Sequence, residues 1–166
     1  PIPCRSIMRT LPLPLLLLLL LDSCTSPSTC ERFFEPYPDL ITGRERSVRD
    51  AVLLDAMAHY SSGDHAAAIE GIQTYIEKDP SETDAARFYL ANSLLALGRP
   101  YDAELQLDFV ERSPAATFHD EVDWYSALCL LCSGQNARAL EAAQRIANNP
   151  RHRYRPQAAK LVAALE

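Results

Sequence analysis

Small, large apolar and glycine positions recur along this chain in a set order. Gly63, Gly98 and Gly134 fall into register at a period of about 35 residues. Ahead of each stands a large apolar residue, Leu53, Phe88 or Trp124, and then a small one, Ala56, Ala91 or Ala127. Behind each come Ala68, Ala103 and Ala139, then Ile72, Leu107 and Ala143, then Tyr75, Val110 and Ile146, and each unit closes on Pro80, Pro114 or Pro150. Apolar residues at three- and four-residue steps place one stripe on each of two helices per unit. The alanines let the two helices approach closely. Glycine ends the first helix because it enters the left-handed region without steric cost, and proline stops the second. After Pro80, Ser81-Glu82-Thr83-Asp84 offers a capping residue and acids for the next N-terminus. One helix pair leaves an apolar flank open, so neighbours must stack to bury it. The pattern therefore predicts an all-α solenoid of about three helical hairpins. Pro156 opens a capping helix over Gln157–Glu166, with Ala158, Leu161, Val162 and Leu165 facing inward.

The units resemble tetratricopeptide repeats over residues 48–150. The family's alanine and large residue of the second helix are matched by Ala68/Ile72 and Ala103/Leu107, and only by Ala139/Ala143 in the third unit. Sel1-type units have a similar period but carry more glycine. The resemblance implies a right-handed superhelix whose first helices line a concave groove. Its rows here are Leu53, Phe88 and Trp124; Met57, Asn92 and Leu128; and Tyr60, Leu95 and Leu131. Such a groove would take a segment of another protein on apolar and aromatic anchors, with the Asn92 amide holding its backbone. The competing expectation is that some of these side chains pack against a neighbouring helix or a terminal segment. Phe33-Phe34-Glu35-Pro36-Tyr37-Pro38 is too rich in proline for helix and is expected to lie extended against the first repeat.

The start of the chain reads as an address. Leu11 to Leu21 is an apolar run behind Arg5 and Arg9, too short for a stable membrane span. It has the shape of a secretory signal, for which Met8 offers a start. Leu21-Asp22-Ser23-Cys24 resembles the bacterial lipoprotein cleavage box, with Asp22 departing from the small or apolar residue usual there. The resemblance implies that Cys24 becomes a lipid-modified N-terminus, and two or more acyl chains suffice for stable anchoring. Thr25, in place of the aspartate that retains enteric lipoproteins, favours the outer membrane facing the periplasm. The organisation expected is a signal over 1–23, a tether and entry segment over 24–47, and a repeat domain with its cap over 48–166.

Composition narrows the chemistry. A formal charge of −6 argues against a nucleic-acid binder. Charge is also uneven: 15 acids face four bases from Asp50 to Asp123, while six bases face only Glu141 from Arg138 to Lys160. Such an axis steers a charged partner or allows weak head-to-tail self-association, while the commoner reading is a solvated surface. Cys129 and Cys132 form a CxxC, but at the end of a predicted helix, where the dipole does not favour a thiolate. Small core residues are the better reading there. Export leaves disulfides open among Cys30, Cys129 and Cys132, with no pairing favoured by spacing. His59, His65, His119 and His152 lack ligand spacing and are expected on helix surfaces. Asp120, Glu121 and Asp123 fit a helix N-terminus better than paired acid/base work. No catalytic residue, metal or cofactor is expected. The function read here is a non-catalytic protein-interaction scaffold, tethered to the bacterial envelope by lipid and binding another envelope protein or peptide segment. The rivals are an assembly factor resembling the repeat lipoprotein of the barrel-assembly machine, and a thiol redox module using Cys129 and Cys132.

Overall fold

A computed structural model describes residues 27–43, 51–78, 83–114 and 118–166. Among them are eight helices and no strand: α1 (Thr29–Phe33), α2 (Ala51–Ser62), α3 (His65–Lys78), α4 (Asp84–Ala96), α5 (Pro100–Glu111), α6 (His119–Cys132), α7 (Asn136–Asn148) and α8 (Arg155–Leu165). Helices α2/α3, α4/α5 and α6/α7 form three successive hairpins, each packed on the next, and α8 packs on α7. The chain is an all-α, solenoid-like stack of hairpins.

The three hairpin turns are the same turn. Gly63, Gly98 and Gly134 have φ of 81°, 68° and 77°. In each, the glycine N–H bonds three residues back, to the carbonyls of Tyr60, Leu95 and Leu131 at 3.0 Å. The next N–H bonds five residues back, from Asp64 to His59, Arg99 to Leu94 and Gln135 to Leu130, each at 2.9 Å. These paired bonds satisfy carbonyls that a helix end otherwise leaves open, and they reverse the chain. The sequence period is thus a backbone period.

Close approach within the first hairpin uses Gly71, which the repeat pattern does not single out. A β-carbon there would sit 2.6 Å from the Ala56 Cβ. Of the stretch Ser81-Glu82-Thr83-Asp84 expected to offer a cap, Thr83 occupies the N-cap of α4, yet makes no side-chain cap bond. Its hydroxyl accepts instead from Arg87 Nε at 3.2 Å. Pro80, Ser81 and Glu82 lie outside the described residues. Before α6, Phe118 takes a left-handed φ of 66°, a costly conformation for an aromatic residue. Its ring stacks on Phe88 at 4.7 Å, which holds it there. At the far end α8 buries Ala158 and Leu161 and packs Val162 and Leu165 against the core, as the capping pattern requires.

Candidate partner groove

Helices α2, α4 and α6 form the wall that meets residues 34–41, and all nine expected groove residues lie on them. Leu53, Met57 and Tyr60 come from α2, Phe88, Asn92 and Leu95 from α4, and Trp124, Leu128 and Leu131 from α6. None of the nine is more than 7% exposed. The open, partner-facing groove expected from the repeat resemblance is not open here. The chain's own residues 34–41 run extended from α1 across all three hairpins and meet Tyr60, Phe88 and Asn92 of the nine. The entry segment therefore reaches well beyond the first repeat, and Phe33, expected to be extended, instead ends the short helix Thr29–Phe33 ahead of the prolines.

Side chains of the wall hold this strap by its backbone. Tyr125 donates its hydroxyl to the Glu35 carbonyl at 2.8 Å, and Tyr60 donates to the Tyr37 carbonyl at 2.6 Å. The Tyr37 N–H donates to Asn92 Oδ1 at 3.0 Å, while Asn92 Nδ2 donates to the Phe88 carbonyl within α4. Asn92 thus holds a peptide backbone as anticipated, but the peptide is intramolecular. Tyr89 donates to the Pro38 carbonyl at 3.0 Å and accepts from the Leu40 N–H at 2.9 Å. Each hairpin contributes at least one bond, and the strap's buried polar groups need such partners. The Tyr37 ring sits among Phe88, Tyr89, Phe118 and Tyr125, at centroid distances of 5.1, 6.1, 6.5 and 6.3 Å.

Both ends of the strap are fastened. At one end Cys30 on α1 is disulfide-bonded to Cys132 at the end of α6. This corrects the reading of Cys132 as a small core residue. Cys129 is a free, buried thiol, and burial pushes its pKa well above the ordinary cysteine value. The two cysteines of the CxxC are therefore not bonded to each other: Cys132 is bonded to Cys30, and Cys129 is shielded as a thiol. At the other end Asp39 accepts the Ile41 and Thr42 N–H groups at 2.8 and 3.0 Å, and the Ser61 hydroxyl at 2.6 Å. Burial raises the Asp39 pKa, but these bonds and that of the Thr42 hydroxyl outweigh it and leave a net lowering.

The acids at the start of α6 bind the turn that leads into α8. Arg153 donates its N–H to Asp120 at 2.8 Å and its guanidinium to Glu121 at 2.6 Å. The Tyr37 hydroxyl lies 3.4 Å from the same Glu121 oxygen, so strap and cap meet on one carboxylate. His152 is buried in this turn rather than lying on a helix surface, 3.4 Å from Asp123 and 3.6 Å from Asp120. Trp124 stacks on Tyr154 at 5.7 Å and is covered from that side. Among the described residues no group of three or more His, Cys, Asp or Glu side chains is placed to hold a metal ion. Cys24 lies outside the described residues.

The sequence reading missed Tyr89 and Tyr125 as strap-holding residues. The available signal was their equivalent register, one residue after Phe88 and Trp124 in the second and third units. Burial first, and neighbouring phenols and carboxylates second, push the Tyr60 and Tyr125 hydroxyls well above the usual tyrosine pKa. A folded pKa above the unfolded one gives stability that is complete below about pH 10, the unfolded tyrosine value, and lost as pH rises toward the folded value. In an alkaline titration, a cooperative part of the phenolate ultraviolet absorbance is expected to appear together with loss of near-ultraviolet circular dichroism. Full ionisation of all tyrosines while tertiary signal persists would show that the strap does not depend on these donors.

Neither a family model, a curated protein nor a solved structure matches the chain.

Proposed function

We propose that this chain is a non-catalytic interaction module of the bacterial envelope, built from tetratricopeptide-like hairpins and anchored by lipid on Cys24. The Cys30–Cys132 disulfide carries this reading, because such bonds persist in oxidising compartments outside the cytoplasm. It stands a few residues beyond the cleavage box, so the signal and the cross-link point to the same side of the membrane. Among the described residues no helix is long and apolar enough to cross a membrane, and the acyl chains would supply attachment. With Thr25 after the modified cysteine, the outer membrane facing the periplasm is the favoured address.

The scaffold reading is supported by what the reactive side chains do. Glu121 and Asp120 hold the α7–α8 turn, Cys132 fastens the strap, and Cys129 is buried. Pairing of Cys132 with Cys30 disfavours the thiol redox rival. Because the strap occupies the wall formed by α2, α4 and α6, partner contact falls to the outer surface. Cys24→Ser is expected to move the protein from the carbonate-resistant membrane fraction to the soluble one. Persistence of the variant in washed membranes would remove the anchor from this reading.

A further inference from the structure

The large exposed apolar side chains among the described residues are Leu40, Leu97, Tyr101, Leu105 and Phe109, and four of the five lie between 97 and 109. Tyr101, Leu105 and Phe109 are spaced four residues apart on α5 and form one row along it, 65%, 53% and 48% exposed. Scattered exposed apolar residues are ordinary, but a row at this spacing is a helix-packing ridge, covered only at Phe109, where the Arg87 guanidinium lies 4.5 Å from the ring centroid. Beside it runs an open cleft of about 470 Å³ lined by Tyr101, Glu104, Leu105, Asp108 and Glu111 of α5 and Ser126 of α6. Arg112 bridges Asp108 at 2.8 Å, and Glu104 and Glu111 add further negative charge to the same wall. An occupant should therefore be a helix with a small-residue channel for the ridge and positive charge beside it.

The chain itself carries such a helix. The outer face of α8 exposes Ala159, Lys160, Ala163 and Ala164. Ala159 and Ala163 are one turn apart and leave a shallow channel, with Lys160 on its edge. Among the described helices α8 packs on α7, and this face is exposed. It also belongs to the basic end of the chain, while α5 belongs to the acidic part. We propose that the α5 ridge of one copy docks on the outer face of α8 of a second copy, with Glu104 facing Lys160. The contact is heterologous, so it extends into rows of copies or closes into a ring. Two crossing helices bury less than the roughly 1,200 Å² of a stable pair, so association is weak in solution and strengthened where copies share a membrane.

This inference goes beyond the reading of the chain as an anchored module and does not require the anchor. Two differently tagged full-length copies, one with Leu105→Cys and one with Ala163→Cys, are co-expressed and treated with a short bis-maleimide crosslinker. Copies without the added cysteines serve as the control. A crosslinked heterodimer specific to that cysteine pair is expected. Adding Glu104→Lys to the first copy should reduce it roughly tenfold, and Lys160→Glu in the second should restore it. Absence of the heterodimer, indifference to both charge changes, or stronger crosslinking between two Leu105→Cys copies would overturn the proposal. Crosslinking of Leu105→Cys only to some other protein would overturn it as well. Rescue by the second charge change shows that the first did not act through misfolding. Repeating the experiment with Cys24→Ser separates the two readings, since the soluble variant should still crosslink at raised concentration.

Discussion

Replacing Cys30 and Cys132 together by serine is expected to lower the unfolding free energy by about 4–5 kcal/mol. The bridge spans a sequence separation of 102 residues. In the chain-entropy account, closing a loop of about a hundred residues is worth about 4.7 kcal/mol through the unfolded ensemble. Domains of this kind have about 5–15 kcal/mol in all, so the loss is a large share. Denaturant midpoints of the oxidised, reduced and double-serine proteins measure it, and the last two should agree. Hydrogen exchange adds a local readout. The Tyr37 and Leu40 amides, held by Asn92 and Tyr89, should exchange faster than helix amides once the cross-link is gone. A midpoint unchanged by removal of the bridge would mean that the strap is held by its hydrogen bonds and rings alone.

Tyr37→Ala should cost nearly as much, about 3–5 kcal/mol, whereas Tyr37→Phe should cost only about 0.5–1.5 kcal/mol. The difference separates two contributions of one side chain. The ring is 4% exposed and meets Phe88, Tyr89, Phe118 and Tyr125, so alanine leaves a cavity at the point where strap and hairpins converge. The hydroxyl adds a long contact of 3.4 Å to Glu121 and a bond with the Arg153 side chain, which itself engages Glu121. Equilibrium unfolding of both variants, with near-ultraviolet circular dichroism as the probe, measures the gap. Equal losses for alanine and phenylalanine would shift the weight from ring packing to the hydroxyl's bonds with Glu121 and Arg153.

Much of the architecture is legible in the chain because it is written in local rules. Gly63, Gly98 and Gly134 report a left-handed backbone at the turns, and a repeated left-handed turn between amphipathic stretches implies repeated hairpins. Ala158 and Leu161 mark the inner face of α8 by helical spacing alone. The apolar side of these helices was legible too: Leu53, Phe88 and Trp124 and the rows beside them are all buried on α2, α4 and α6. What those residues touch was not. Periodicity says which side of a helix is apolar, but a buried stripe and a binding stripe have the same period.

The sequence by itself determined the helical hairpins, their turns and their order, since these depend on residues within a few turns of one another. Only the tertiary structure decided that residues 34–41 lie across α2, α4 and α6, that Cys30 reaches Cys132, and that His152 is buried beside Asp120 and Asp123. Those pairings join residues distant along the chain. They follow from shape and hydrogen-bond complementarity, Tyr60, Tyr89, Asn92 and Tyr125 meeting one extended backbone, which no local pattern encodes.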